Sequence, residues 1–265
     1  MLSITTAELN GWIASLLWPL TRILALIASA PLLGSKSIPI QVKLGLAILL
    51  AILIAPTLPP FPQIDPGSGA GFIIILQQIV IGLAMGLTMR IVFSAVDAAG
   101  EIIGLQMGLG FATFFDPQQS GQMQLISRFF GLFATLVFLA IDGHLQLIAL
   151  LAQSFIILPI GITGIPSPTF VTFANWGGEI FIMGLRLALP VLTALLTTNL
   201  ALGVLTRAAP QLNIFAVGFP LTLSIGLLMT SLVLPYFTPV LNQMFSDGFA
   251  MIGTLIGADT PAESP

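Results

Sequence analysis

Apolar runs of about 20 residues recur along this chain, the length a helix needs to cross roughly 30 Å of hydrocarbon. No other feature limits the fold as strongly. The runs do not alternate apolar with polar residues, as barrel strands would. In hydrocarbon every backbone polar group has to be satisfied internally, so the runs predict helices. The composition agrees: the 265 residues are 57% hydrophobic and 6% charged, against about 25% charged in soluble domains, and mean hydropathy is +1.09. There are no cysteines, which removes disulfide and thiolate chemistry. A net charge of -3 supplies no basic surface for nucleic acid.

The first run covers residues 12–33 and ends at Pro31-Leu-Leu-Gly34; the second, 40–58, is stopped by Pro59-Pro60. A proline- and glycine-rich loop follows. The third run starts near Phe72 and continues past Arg90 to "VFSAVDAAGEIIGLQMG", longer than one simple span. The fourth is 125–141, closed by Asp142-Gly143-His144, and 145–160 reads as a short helix in or near the membrane interface. The fifth, 176–205, and the sixth, 214–237, are followed by a partly apolar helix over 240–257. These readings predict an all-α polytopic protein with kinked and broken helices, a single domain over 1–257 and a polar tail over 258–265. The N-terminal stretch lacks a cationic leader region, so residues 1–35 are expected to be mature structure.

If six runs cross, Lys36, Lys43, Arg128 and Arg207 fall at the ends of loops on one side. The opposite loops hold only Asp65, Asp142 and His144. The positive-inside rule then places the basic side and its loops in the cytoplasm.

Ionisable residues within apolar runs are costly and face protein or water. Arg22 lies inside the first run and Arg186 inside the fifth, while Arg90, Asp97 and Glu101 share a face of the third with Ser94. They read as a proton or ion relay, or as charges packed where the chain meets a neighbour; the second is favoured, because the two acids lie where their run is ending. Gly82/Gly86 and Gly100/Gly104/Gly108 repeat at four-residue spacing, which suits close helix contact. Pro19, Pro190, Pro220 and Pro235 interrupt apolar runs and point to a chain embedded in a larger protein body.

Catalytic patterns are missing. One histidine makes no zinc site, and no HExxH, GxSxG, phosphate-binding or dinucleotide motif occurs. No metal or cofactor is expected, and His144 reads as a loop or interface residue. A transporter, a membrane scaffold and a subunit of a protein-conducting channel remain; no repeat relates the two halves, which weakens the first.

One stretch fits none of the ordinary roles. "GLQMGLGFATFFDPQQSGQM", 104–123, is apolar and glycine-rich, and closes at Asp116-Pro117. Together with "WPLTRILALIASAPLLGSKSIPIQVKLGLA" (18–47), "DGHLQLIALL" (142–151) and "LALPVLTALLTTNLALGVLTRAAPQLNIFAVGFPLTL" (187–223), the overlapping "GEIIGLQMGLGFATFFDP" (100–117) resembles the FliR/SpaR/SctT family of type III secretion export-gate proteins. "GFATFFDP" favours the flagellar branch. The resemblance runs in order over nearly the whole chain. It implies a non-enzymatic subunit of a FliP–FliQ–FliR complex in the bacterial inner membrane and flagellar basal body, raised towards the periplasm. Its implied partners are several copies each of FliP and FliQ, then FlhB, FlhA and unfolded flagellar export substrates. It also implies that 108–117 plugs a central pore. Gly108 and Gly110 would give it backbone freedom, Phe111, Phe114 and Phe115 would exclude water, and Met107 and Met123 would flank it as flexible seals. Arg207, Pro210, Asn213, Phe215 and Pro220 belong to a cytoplasm-side loop, 206–220, that holds FlhB, lines the entrance or is simply a rigid turn. The alternative function is a proton-coupled solute transporter using Arg90, Asp97 and Glu101.

Overall fold

A computed structural model describes residues 6–58, 64–110, 125–161, 167–211 and 214–257, and among them regular structure is helical throughout. The helices are α1 (Thr6–Ser29), α2 (Ile40–Ile54), α3 (Gly69–Gln106), α4 (Leu125–Ala140), α5 (Gly143–Ile157), α6 (Ser167–Trp176), α7 (Glu179–Ala208) and α8 (Ile214–Ile256), with one 3-10 turn at Ala55–Thr57.

Local chemistry sets several of the boundaries. Pro31 follows α1, and the chain turns back through Leu32 at φ 61°. A Cβ on Gly34 would lie 2.6 Å from the carbonyl oxygen of Ala30, so only glycine fits that turn. Lys43 Nζ then donates to the Gly34 carbonyl at 3.0 Å, tying α2 to the turn. Ser68 caps α3, its hydroxyl accepting from the Gly71 N–H at 3.1 Å. At the other end of α3, Gly108 takes φ 85°. Its N–H donates to Leu105 O at 3.0 Å, and the Leu109 N–H donates to Gly104 O at 3.1 Å. That pair of bonds is a Schellman ending, which needs glycine at its left-handed position. Gly108 therefore terminates the helix and does not extend the four-residue glycine ladder. Asp142, at φ 55°, separates α4 from α5, a conformation its short polar side chain tolerates.

Some boundaries differ from those read in the sequence. The fifth run is broken at Gly177-Gly178, so Trp176 ends α6 and α7 begins at Glu179. The sixth run and the last apolar segment form one helix of 43 residues with Pro220, Pro235 and Pro239 inside it. A proline removes one backbone bond, but its fixed φ is close to the helical value, so a long apolar helix can run through it. The loop expected over 206–220 shrinks accordingly: Arg207 is in the last turn of α7 and Pro220 is inside α8.

Contacts group into two compact units drawn from separated stretches, 1–91 with 142–177 and 246–265, and 92–141 with 178–245. In the first, the glycines of α3 seat α1. A Cβ on Gly82 would overlap the Arg22 carbonyl oxygen, and one on Gly86 would overlap Ser29 Oγ and lie 2.8 Å from Ala30 N. Helix α5, expected at an interface, buries Leu147, Leu151, Ser154 and Phe155 in this unit. In the second, Gly100 faces Ser127 and Gly184 faces the Ala95 carbonyl. Phe93, Phe138 and Phe245 form a ring cluster with centroids 5.2–5.6 Å apart, and Phe130 meets Phe237 edge-on at 5.0 Å.

Four stretches are long and apolar enough to cross a membrane: Ile40–Thr57, Gly69–Gln106, Thr169–Ala208 and Val217–Ile256. A fifth exists if Leu125–Ala140 and Gly143–Ile157 count as one broken span. Among the described residues, the apolar part of the first run is Ser15–Ser29. Helix α2 is apolar on all sides, yet Ile48, Leu49, Ile52 and Leu53 are exposed. A helix of that kind is covered by lipid or by other protein.

Candidate functional site

The root of the phenylalanine loop is the end of α3. Met107 is fully buried there. Its carbonyl accepts from Thr222 Oγ1 at 3.2 Å. Its side chain fills the space opposite Gly226, where a Cβ would overlap Cγ and lie 2.9 Å from both Sδ and Cε. Gln106 and Asn199 approach to 3.5 Å beside it. The loop thus leaves a fixed platform of α3 and α8. Gly108 and Gly110 are half-buried at its start. Phe111, Phe114, Phe115 and Met123 lie outside the described residues.

The first unit contains a polar centre. Arg22 is completely buried. Nε donates to Gln78 Oε1 at 2.8 Å, Nη1 to the Ser154 carbonyl at 2.8 Å and hydroxyl at 3.0 Å, and Nη2 to the Leu158 carbonyl at 2.9 Å. The guanidinium carbon lies 4.2 Å from the centre of the Phe155 ring. Ser154 and Leu158 stand at the C-terminal end of α5, where the dipole is negative; the Ser154 carbonyl also accepts from the Leu158 N–H at 2.9 Å, while the Leu158 carbonyl lies past the last helical bond. Arg22 therefore closes a helix end: its charge is answered by carbonyl dipoles and a π-face.

The other charges within apolar helices are placed differently. Arg90, Asp97, Glu101 and Arg186 are all exposed. The packed face of α3 is instead Met85, Met89, Val92, Val96, Ala99 and Ile103. Ser127 Oγ donates to the backbone carbonyl of Asp97 at 3.0 Å. Arg207 is exposed at the end of α7, Pro210 is exposed in the turn, Phe215 is in the first turn of α8, and Asn213 lies outside the described residues. Sequence reasoning missed Gln78, Ser154, Thr222 and Gly226. Gln78 and Ser154 each lie inside an apolar segment, where a polar side chain calls for a buried partner.

Among the described residues no group of acids, histidine or cysteine is arranged to hold a metal. Fold and site together define a polytopic, all-helical membrane protein with buried polar side chains at its helix contacts, among the described residues. The chain matches the family of bacterial export proteins, family 1, over residues 13–248, and it belongs to that family, in its flagellar branch. It is 47% identical over 256 residues to the flagellar biosynthetic protein FliR of Pectobacterium carotovorum subsp. carotovorum, covering 97% of this chain and 98% of that one. It is 46% identical over 256 residues to the protein of the same name from Escherichia coli strain K12, with the same coverage. A third relative of that name, from Aquifex aeolicus, is 36% identical over 242 residues, 90% of this chain and 92% of its own. The chain is a membrane component of the flagellar export apparatus and not an enzyme.

Proposed function

We propose that this chain takes the FliR position in a FliP–FliQ–FliR export gate and forms part of a protein-conducting pore. The surface of α3 carries the argument. It exposes Phe72, Ile73, Leu76 and Val80, then Arg90, Asp97 and Glu101, then Leu105. That run is about 50 Å along the axis, beyond the roughly 30 Å of a bilayer core. Lipid suits the apolar parts and not the charges; water suits the charges and not the apolar parts. A surface of partner subunits suits both. In this reading FliP and FliQ cover the apolar helices, FlhB and FlhA meet the cytoplasmic end, and unfolded flagellar proteins thread the centre. The complex sits in the inner membrane and basal body, raised towards the periplasm. Loop 108–117 is the plug, and the Met107–Thr222–Gly226 platform is a physical basis for it: a firm root lets a glycine-started, phenylalanine-filled segment swing without loosening α3.

Solute transport has no comparable support, since a relay requires its acids to be enclosed and Asp97 and Glu101 are exposed. Native mass spectrometry tests the assembly. The chain is expressed with its genomic neighbours and extracted in mild detergent. One heavy species with a single copy of this chain among several small membrane subunits is expected. A chain that remains a 27.9 kDa monomer, or pairs only with itself, overturns the proposal.

A further inference from the structure

Helix α8 contains two carbonyls that lack their usual helical donor. Pro235 and Pro239 lack N–H groups, so the carbonyls of Ser231 and Pro235, four residues earlier, have no helical donor. Neither accepts a side-chain hydrogen bond from the described residues. Ser231, Pro235 and Pro239 are exposed and form one four-residue ridge. Leu228, Leu232 and Tyr236 form the adjacent ridge, exposed by 58%, 58% and 71%. Two such ridges are the surface on which another helix packs. Within the same chain, the Arg22 guanidinium closes the Leu158 carbonyl at the end of α5 and adds a second donor to the Ser154 carbonyl. The pair on α8 has the same chemistry, two partial negative charges at apolar depth. Helix α8 itself carries no Lys or Arg to answer them. Hydrocarbon offers no donor, and a carbonyl left open in it is costly.

We propose that this face of α8 docks a helix of a partner subunit that delivers an arginine side chain to the carbonyls of Ser231 and Pro235. The apolar ridge through Leu228, Leu232 and Tyr236 packs beside it. The charges are complementary: helix carbonyl dipoles on this side, a guanidinium on the other, the arrangement Arg22 makes internally. The inference rests on the multi-subunit reading above and names the chemistry of one contact within it.

The test uses the full chain expressed with its genomic neighbours, with p-benzoylphenylalanine in place of Tyr236. Ultraviolet light is expected to join it to one membrane subunit, and the joined peptide is expected to contain an arginine. A second variant, Pro235→Ala with Pro239→Ala, restores both N–H groups and removes the open acceptors. Alanine favours the helix, so the yield and helicity of the chain should hold or rise, while affinity for the partner falls about a hundredfold or more, the loss of two charge-assisted hydrogen bonds. Cross-links to lipid alone, or undiminished partner capture by the double variant, overturn the inference. Assembly by native mass spectrometry with lipid-only cross-links overturns this contact and leaves the multi-subunit reading standing; absence of any assembly removes both.

Discussion

Arg22 and Ser154 are joined twice, Nη1 donating to the carbonyl at 2.8 Å and to the hydroxyl at 3.0 Å across 132 residues of sequence. A single cation thereby ties α1 to the end of α5, and through Gln78 to α3.

Replacing that cation should be among the most damaging single changes in the first unit. Arg22→Met leaves the Leu158 carbonyl and the Gln78 side-chain oxygen without this donor and takes one of two donors from the Ser154 carbonyl, a loss of about 3 kcal/mol. Arg22→Lys keeps the charge but loses the planar fork, so only partial recovery is expected. Thermal unfolding in detergent, followed by size exclusion, ranks the three proteins. Equal stability of the methionine variant would show that the network contributes nothing.

Glycines of the same helix type should behave differently according to what faces them. Gly82→Ala and Gly86→Ala push a methyl group into the α1 backbone and should cost about 1–3 kcal/mol each. Gly203→Ala meets nothing within 4 Å in α7 and should be neutral or raise stability by about 0.5–1 kcal/mol. The same unfolding assay separates them; a destabilising Gly203→Ala would contradict the open space seen there.

The platform of the loop can be loosened in graded steps. In Gly226→Ala the new methyl group overlaps Met107 Cγ as well as the thioether end, so Met107 has to repack at a cost of about 1–2 kcal/mol. Gly226→Leu has to displace Met107 altogether. Thr222→Val removes the hydroxyl donor to the Met107 carbonyl, worth about 1 kcal/mol. Ion leakage across vesicles holding the assembled complex should rise more in the leucine variant than in the alanine or valine variant; no increase in the leucine variant would show that the root does not hold the plug.

Serine at Phe111, Phe114 and Phe115 together tests the plug itself. A constriction closed by excluded water becomes wettable when its rings are lost. Cells carrying an assembled variant complex should leak ions and small solutes. Tight membranes, with assembly shown by mass spectrometry, would remove the sealing role from these side chains.

The sequence alone carried the helical class, because uncharged runs of membrane length leave the backbone no other way to satisfy its hydrogen bonds. It also carried local punctuation such as the stop at Pro31 and the glycine ladder that seats α1. The family was legible as well, in the arginine-to-proline stretch 207–220 and in "GFATFFDP", which also favoured the flagellar branch. What it did not carry depends on residues brought together from far apart. Whether Arg22 met an acid or an amide was decided by Gln78 and Ser154, 56 and 132 residues away. The fate of Pro235 and Pro239 was equally non-local. A proline removes one bond, and whether α8 ends there or continues depends on the packing of Phe237, Leu241, Met244 and Phe245, all buried just beyond. The exposed charges of α3 belong to the same class of question. Their spacing is written in the chain, but which face of a helix is buried is settled by the helices packed against it, and here those chose Met85, Met89, Val92 and Val96.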